Sequence, residues 1–197
     1  MTLASRSVLA GAVLLAVLAM PPALHAQSPE AARFLDLGDG KRIDYTLRPH
    51  PADAHLARPA AALAPTSALD AARLLNLHLS TGDIEEAALL SNAPRRRFEV
   101  LQDYRKTIGD DEFRRVFAQY LAPESRLLAE IAIDRHHLLI WELRQVAAPS
   151  QPEASHLAGQ YFVQVDDGRY LVDDIPNSTR ASLRQILEAY RSGKIPR

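Results

Sequence analysis

The spacing of apolar side chains changes once along the chain, and this change restricts the fold more than any other feature. Over residues 67–121, apolar residues recur every three or four positions, as Phe113, Phe117 and Tyr120 do, which predicts amphipathic helices. Over residues 126–172 they alternate with polar residues, which predicts strands. One block of helices followed by one block of strands predicts an α+β domain rather than alternating βαβ units.

Capping residues divide the first block into four helices. Ser67 and Asp83 are typical N-cap residues, and Pro94 suits a first helical position. Gly109 separates the last two helices. The predicted helices cover residues 68–80, 84–92, 95–107 and 111–121.

The second block predicts a meander of four antiparallel strands, over residues 126–133, 137–143, 158–165 and 169–172. Turns are predicted at residues 134–136 and at 166–168, where Gly168 favours a positive φ. A closing helix, capped by Asn177 or Ser178, should end at Gly193. The fold class is therefore α+β, with N-terminal helices packed on an antiparallel sheet of four or more strands and a C-terminal helix.

Residues 1–26 have the order of a secretory signal peptide. Arg6 is followed by an apolar run over residues 8–20, by two prolines and by the small residue Ala26. The run is shorter than the roughly 20 residues that span a bilayer. We therefore expect cleavage after Ala26, a periplasmic or secreted protein, and no stable membrane span after cleavage.

Residues 27–66 are predicted to form a short β-hairpin around Gly38-Asp39-Gly40 and then a linker rich in proline and alanine over residues 48–66. His50 and His55 lie in this linker, but no third ligand stands at a fixed spacing, so no metal site is predicted. The main domain is expected over residues 67–197.

Composition excludes several classes of function. A formal net charge of -1 does not fit a chain that coats nucleic acid. The absence of cysteine excludes disulfides, thiolate catalysis and cysteine-ligated metals. The chain has no HExxH motif, Ser–His–Asp motif or glycine-rich phosphate loop, so no cofactor is predicted.

Three stretches of the chain follow the pattern of one known family. Residues 74–90, LLNLHLSTGDIEEAALL, resemble the helix–Gly-Asp–helix opening of NTF2-like domains, and residues 167–175, DGRYLVDDI, look like their closing strand. Residues 182–187 are similar to the tail of small exported bacterial members of unknown function. The resemblance implies a curved antiparallel sheet that wraps round helices and leaves a conical cavity. Because such domains include isomerases, dehydratases, ligand binders and assembly modules, the family does not assign a function.

The isomerase-like members need a carboxylate base and a tyrosine or acid donor inside the cone. Asp103 and Tyr104 are the candidate pair, but adjacent helical residues point about 100° apart, so both cannot face one cavity equally. Other charged clusters are interpreted as solvated or turn residues rather than as sites: Asp134-Arg135-His136-His137, Arg95-Arg96-Arg97 with its neighbours, and the aspartates 166, 167, 173 and 174. A calcium site at these aspartates stays open, without the EF-hand spacing.

Aromatic residues are the best candidates for the lining of a pocket. They are Phe98, Tyr104, Phe117, Tyr120, Trp141 and Tyr161. We expect a non-catalytic binding or interaction module that takes a small apolar ligand, a peptide or a protein partner. The alternative is an isomerase- or dehydratase-type enzyme with a carboxylate in the cone. A homodimer through exposed apolar residues of the strands 137–143 and 158–165 is a third interpretation.

Overall fold

The computed structural model describes residues 30–38, 40–56, 65–144 and 155–195, and these have an α+β fold with one six-stranded antiparallel sheet and five α-helices. The strands are β1 (Ala31–Gly38), β2 (Lys41–Pro49), β3 (Arg126–Ile133), β4 (His136–Arg144), β5 (Ser155–Gln164) and β6 (Tyr170–Val172). The helices are α1 (Ala68–Thr81), α2 (Ile84–Leu89), α3 (Pro94–Ile108), α4 (Asp110–Ala118) and α5 (Ser178–Arg191).

The order of strands in the sheet follows their order in the chain. The four strands predicted after residue 126 are confirmed, and so are their antiparallel pairings. The prediction of a sheet that only follows the helices was wrong, because β1 and β2 precede α1. The chain forms these two strands, then α1 to α4, and returns to add β3 along the free edge of β2.

The hairpin predicted around residues 38–40 docks on the rest of the sheet. β2 pairs with β3 from Thr46 opposite Ala132 to Pro49 opposite Ala129. This pairing provides the additional strands that a two-stranded hairpin needs for stability in water. Residues 1–29, which include the predicted signal peptide, lie outside the described residues.

The structure corrects the first part of the linker predicted over residues 48–66. Arg48 and Pro49 belong to β2, and Ala54–Leu56 form a short 3-10 helix. His55 is only 2% exposed, and its Nε2 lies 3.0 Å from the carbonyl oxygen of Ala122. A buried imidazole anchors this segment, which composition does not reveal. Residues 57–64 of the linker lie outside the described residues.

The helices begin where the capping residues predict. The side chain of Ser67 accepts a hydrogen bond from the Asp70 amide, and that of Asp83 accepts one from the Glu86 amide. The side chain of Asn177 accepts a hydrogen bond of 2.7 Å from the amide of Arg180 and so starts α5. Each cap satisfies a backbone N–H that has no partner inside its own helix.

Both faces of the sheet are covered at β4, which lies between β3 and β5. Leu139 and Trp141 pack into a core with residues of α1 and α4, whereas Leu138 and Ile140 pack with residues of α5. All four side chains are fully buried. The unbroken apolar run from Leu138 to Trp141 is typical of a strand that is covered on both sides, and β4 offers no exposed apolar face to a second copy.

Gly159 of β5 is required by the close approach of α5. A Cβ atom at this position would lie 2.7 Å from Leu187 Cδ2 and 3.0 Å from Leu138 Cδ1. We expect Gly159→Ala to lower the free energy of unfolding by about 1 kcal/mol, because the methyl groups of two buried leucines must shift to make room. Urea unfolding followed by circular dichroism measures the change. Ser155→Ala, on the exposed end of the same strand, is the control; equal midpoints for both variants would contradict the prediction.

Across the described ranges, every helix is too short or too polar to cross a lipid bilayer.

Candidate functional site

A cleft opens between α3 and the first turns of α5 and runs inward to the edge of β5. Its outer groove has a volume of about 600 Å³ and its inner chamber one of about 280 Å³. Arg97, Asp174 and Arg180 border both spaces, so we treat them as one site, the arginine cleft. The outer groove is also lined by Arg96, Val100, Pro176, Asn177, Ala181 and Arg184. The inner chamber is also lined by Leu75, Phe117, Tyr120, Gly159, Gln160, Tyr161, Phe162, Val172 and Asp173.

Positive charge dominates the outer groove, which holds four arginines and one aspartate. The side chain of Arg97 is 19% exposed, and its Nη1 donates to Asp174 Oδ1 at 3.3 Å. Burial lowers the pKa of Arg97 from its ordinary value, and the charge of Asp174 opposes that effect. The buried Nε of Arg97 has no hydrogen-bond partner in the part of the chain that the structure describes.

Arg180 repeats this arrangement on the opposite wall. Its guanidinium lies 5.3 Å from the ring centroid of Tyr161, a cation–π contact. Its Nε is also buried without a hydrogen-bond partner among the described residues. The cleft therefore presents two arginines whose donors are only partly used.

The inner chamber is bordered by aromatic rings with polar tips. Burial raises the pKa of Tyr120 to about 12, with a further contribution from Tyr104, while Arg97 opposes the shift. Burial also raises the pKa of Tyr161. Both phenols are therefore protonated at neutral pH and can donate hydrogen bonds into the cleft.

A network of hydrogen bonds holds the loop between β6 and α5 in place beside the cleft. Asp174 Oδ2 accepts from Ser91 Oγ at 2.7 Å, and the Asp174 amide donates to Asn92 Oδ1 at 2.8 Å. Asp173 is 1% exposed, and its Oδ1 accepts from Asn92 Nδ2 at 3.1 Å, while its Oδ2 lies 2.9 Å from His136 Nδ1. Asn177 reaches the same carboxylate. Every oxygen of the two aspartates thus has a partner.

The predicted pocket residues divide into two groups. Phe117, Tyr120 and Tyr161 line the inner chamber, whereas Phe98, Tyr104 and Trp141 do not. Trp141 is fully buried behind the chamber, with its ring centroid 5.3 Å from that of Tyr120. Phe98 packs at the edge of the core, and Tyr104 is 38% exposed. The spacing of aromatic residues identifies the apolar face of a helix. The positions of the neighbouring helices and strands decide which residues of that face line a cavity.

The interpretation of Arg95-Arg96-Arg97 as a solvated face holds for Arg95, whose side chain is 94% exposed, and is wrong for Arg97. The sequence contains a signal for this difference, because Arg97 stands four residues before Leu101 on the apolar stripe of α3. Arg180 likewise precedes Leu183 by three residues on the stripe of α5. A cation within an apolar stripe is the pattern that sequence reasoning missed.

The turn predicted at residues 134–136 is confirmed for the exposed Asp134 and Arg135, but the interpretation of His136 and His137 as solvated residues is wrong. His136 and His137 begin β4 and point to opposite faces, as expected for neighbours in a strand. His136 contacts Asp173, while His137 Nδ1 lies 2.7 Å from Glu130 Oε1. Both rings are largely buried, and each is held by a carboxylate.

Glu130 of β3 joins two histidines from distant parts of the chain. Its Oε2 lies 3.0 Å from His50 Nε2, and Arg48 Nη1 is 3.6 Å from the same oxygen. Burial alone would raise the pKa of Glu130, but hydrogen bonds from His137 and His50 outweigh it and lower the pKa to about 2. Nevertheless, no three His, Asp or Glu side chains in the described segments are grouped so that they could hold a metal ion.

The candidate catalytic pair of α3 does not share a cavity. The side chain of Asp103 is 80% exposed and approaches Lys106 at 3.9 Å. Tyr104 contacts Phe113 and Phe117 instead. Asp166 of the acidic cluster is 95% exposed and pairs with Arg135. These residues are therefore accounted for by ordinary surface and packing contacts.

Fold and site together define an α+β protein with an arginine-lined, partly aromatic cleft. A scan against protein-family models, a search of curated proteins and a search of solved structures each found no match to this chain. The resemblance to NTF2-like domains therefore stays a prediction.

Proposed function

We propose that this protein is an exported, non-catalytic binding module of the NTF2-like type, and that the arginine cleft binds a small organic anion with an aromatic or apolar body. One observation carries the proposal. Arg97 and Arg180 enclose a common space, and each has a buried Nε without a hydrogen-bond partner among the described residues. Export rests on the signal-peptide pattern of residues 1–26.

The energetics of buried arginine favour an anionic ligand. Removing a guanidinium from water is costly unless the charge is paired and its donors are used. In the outer groove only Asp174 pairs with Arg97, while Arg96 and Arg184 add further positive charge. A carboxylate or phosphate seated between the arginines would pair their charge and accept hydrogen bonds from the terminal guanidinium nitrogens, in the planar geometry that guanidinium prefers. The cleft is thus built for an anion rather than for the purely apolar ligand expected at first.

The chamber walls favour a ligand with an apolar part. Phe117 and Tyr120 line the same chamber as Arg97 and Arg180, and the fully buried Phe162 lies behind its wall. Arginine also stacks on aromatic rings, as Arg180 does on Tyr161. An aromatic carboxylate would satisfy both features at once.

The enzyme alternative needs a carboxylate that is free to accept a proton from substrate. The two carboxylates beside the chamber, Asp173 and Asp174, already accept hydrogen bonds on all four oxygens. Their neighbours Asn92 and Asn177 tie them to α3 and α5. These contacts support a structural role for the two aspartates and, with it, the binding module.

Calorimetric titration with benzoate, phenyl phosphate and neutral benzamide tests the proposal. We expect the two anions to bind and benzamide to bind at least tenfold more weakly. Arg97→Gln should weaken anion binding at least tenfold, about 1.4 kcal/mol, because it removes a partly desolvated charge from the cleft. Arg95→Gln is the matched control, since it removes the same charge from an exposed position on the same helix.

Two results would overturn the proposal: neither anion binds the wild-type protein, or the two arginine variants weaken binding equally. The second result would mean that overall charge, rather than the cleft, attracts the anion. Thermal unfolding of both variants shows whether each still folds.

A further inference from the structure

β5 has an edge that its neighbour in the sheet leaves uncovered. β5 runs over Ser155–Gln164, but β6 pairs only with the stretch from Phe162 to Gln164. From Ser155 to Gln160, the only strand partner among the described residues is β4. Half of the backbone groups in this stretch therefore face away from the sheet.

The outward-facing groups can be assigned from one hydrogen bond. The Asp173 amide donates to the carbonyl oxygen of Tyr161 at 2.9 Å, on the side away from β4. Because the direction alternates along an antiparallel strand, the N–H and C=O groups of Gly159 and Leu157 point the same way. Arg191 Nη2 donates to the Leu157 carbonyl at 2.8 Å, so a side chain already takes one of these acceptors. The backbone groups of Gly159 remain without a strand partner in the described part of the chain.

This free edge borders the inner chamber of the arginine cleft. Four consecutive residues of β5, from Gly159 to Phe162, line the chamber. Successive side chains of a strand point to opposite faces of the sheet. A chamber that is lined by four consecutive residues therefore contacts both faces of β5, which is possible only around its edge. Gly159 has no side chain there, which leaves its peptide groups accessible from the chamber.

The edge ends where the positive charge lies. The bond from Asp173 closes it at Tyr161, and Arg97 and Arg180 border the chamber at the same place. A strand added along β5 must therefore stop beside two guanidinium groups. A chain end with a carboxylate matches this position, whereas an N-terminal ammonium would be repelled.

We propose that the arginine cleft receives the C-terminal end of an extended peptide, which pairs with the edge of β5 at Gly159 and places its terminal carboxylate between Arg97 and Arg180. The peptide runs parallel to β5, and its last side chain points into the chamber that Phe117 and Tyr120 help to line, which selects an apolar C-terminal residue. Main-chain pairing and carboxylate capture are separate sources of affinity in this mode of recognition. The proposal rests on the anion-binding function of the cleft and names its ligand class.

Affinity selection from a random pentapeptide library tests the proposal. The library is prepared in three forms: with a free C-terminal carboxylate, with a C-terminal amide, and with a free carboxylate but N-methyl groups on alternate amides. Peptides that remain with the protein after size exclusion are quantified by mass spectrometry. We expect the first form to be retained with apolar C-terminal residues, and the other two to be retained at least tenfold less. Arg97→Gln should abolish the selection and Arg95→Gln should preserve it.

A second readout follows the edge directly. The chain has 8 glycines, so a spectrum of protein labelled with ¹⁵N-glycine is simple to assign. Addition of a selected peptide should slow hydrogen exchange of the Gly159 amide at least tenfold and leave Gly40, in the distant hairpin turn, unchanged.

Each outcome bears on the proposal. Equal retention of acid and amide forms, no effect of N-methylation, or unprotected Gly159 would overturn it. If no peptide is retained while benzoate still binds, the peptide inference fails and the anion-binding function stands. If benzoate also fails to bind, the proposed function fails with it.

Discussion

Replacing Glu130 with glutamine should lower the free energy of unfolding at pH 7 by about 3 kcal/mol. The carboxylate is 8% exposed and accepts contacts from His50 and His137, with Arg48 nearby. A pKa lowered from 4.5 to about 2 corresponds to a stabilisation on the order of 3 kcal/mol, because ionisation is that much more favourable in the folded chain. Glutamine keeps the size but loses the charge.

The pH dependence has a definite sign. Because the pKa of Glu130 is depressed in the folded state, its stabilisation is present in full above about pH 4.5 and is lost as the pH falls towards 2. The difference between wild type and Glu130→Gln should therefore be large at pH 7 and shrink progressively below pH 4.5. Urea unfolding at a series of pH values measures it.

Glu112→Gln is the matched control for this experiment. Glu112 forms an ion pair with Arg115, but its side chain is 41% exposed, so we expect a change below about 0.5 kcal/mol. A difference between Glu130→Gln and wild type that stays constant from pH 7 to pH 3 would contradict our account of Glu130, because the effect would then not depend on its ionisation.

Truncation of Trp141 to alanine should cost about 3–5 kcal/mol of unfolding free energy. This is the chain's single tryptophan, and it is fully buried in the core between the sheet and α1 to α4. Its ring contacts Tyr120 and His55, at centroid distances of 5.3 and 5.9 Å. The substitution leaves a cavity at the point of β4 that packs against both Tyr120, in the wall of the inner chamber, and His55.

Circular dichroism during urea unfolding measures the effect of Trp141→Ala, since the variant has no tryptophan fluorescence. Phe34→Ala is the control, because Phe34 is 62% exposed on β1 and should cost less than about 1 kcal/mol. A loss at Trp141 as small as that at Phe34 would show that the site collapses without a cavity. A weaker anion affinity in Trp141→Ala would further indicate that Trp141 supports the chamber wall.

Much of the secondary structure could be predicted from local signals. Caps such as Ser67, Asp83 and Asn177 satisfy backbone groups within their own segment, so they place the starts of α1, α2 and α5 without knowledge of the fold. The unbroken apolar run of β4, from Leu138 to Trp141, likewise indicates burial on both faces. These features depend on neighbours in sequence, which is why one sequence is enough.

The docking of the hairpin and the segment around His55 could not be predicted in this way. The pairing of β2 with β3 joins residues 80 to 86 positions apart, from Pro49 with Ala129 to Thr46 with Ala132. His55 is held by the carbonyl of Ala122, although its local composition of alanine and proline predicts an extended linker. Long-range contacts outweigh local conformational preference in this segment. Burial of the His55 imidazole and pairing of β2 with β3 stabilise a conformation that the segment would not adopt by itself.

The candidate site shows the same division. The sequence by itself predicted three of the aromatic residues that line the chamber, Phe117, Tyr120 and Tyr161, and Arg97 and Arg180 stand within apolar stripes, although that signal was missed. Only the tertiary structure decided that these two arginines line one chamber with Phe117, Tyr120 and Tyr161, and that β6 is too short to cover the edge of β5. The reason is physical. The sequence of one helix or strand determines which of its faces is apolar, but a cleft forms only where neighbouring elements leave space between them. The space between α3, β5 and α5 depends on the positions of all three.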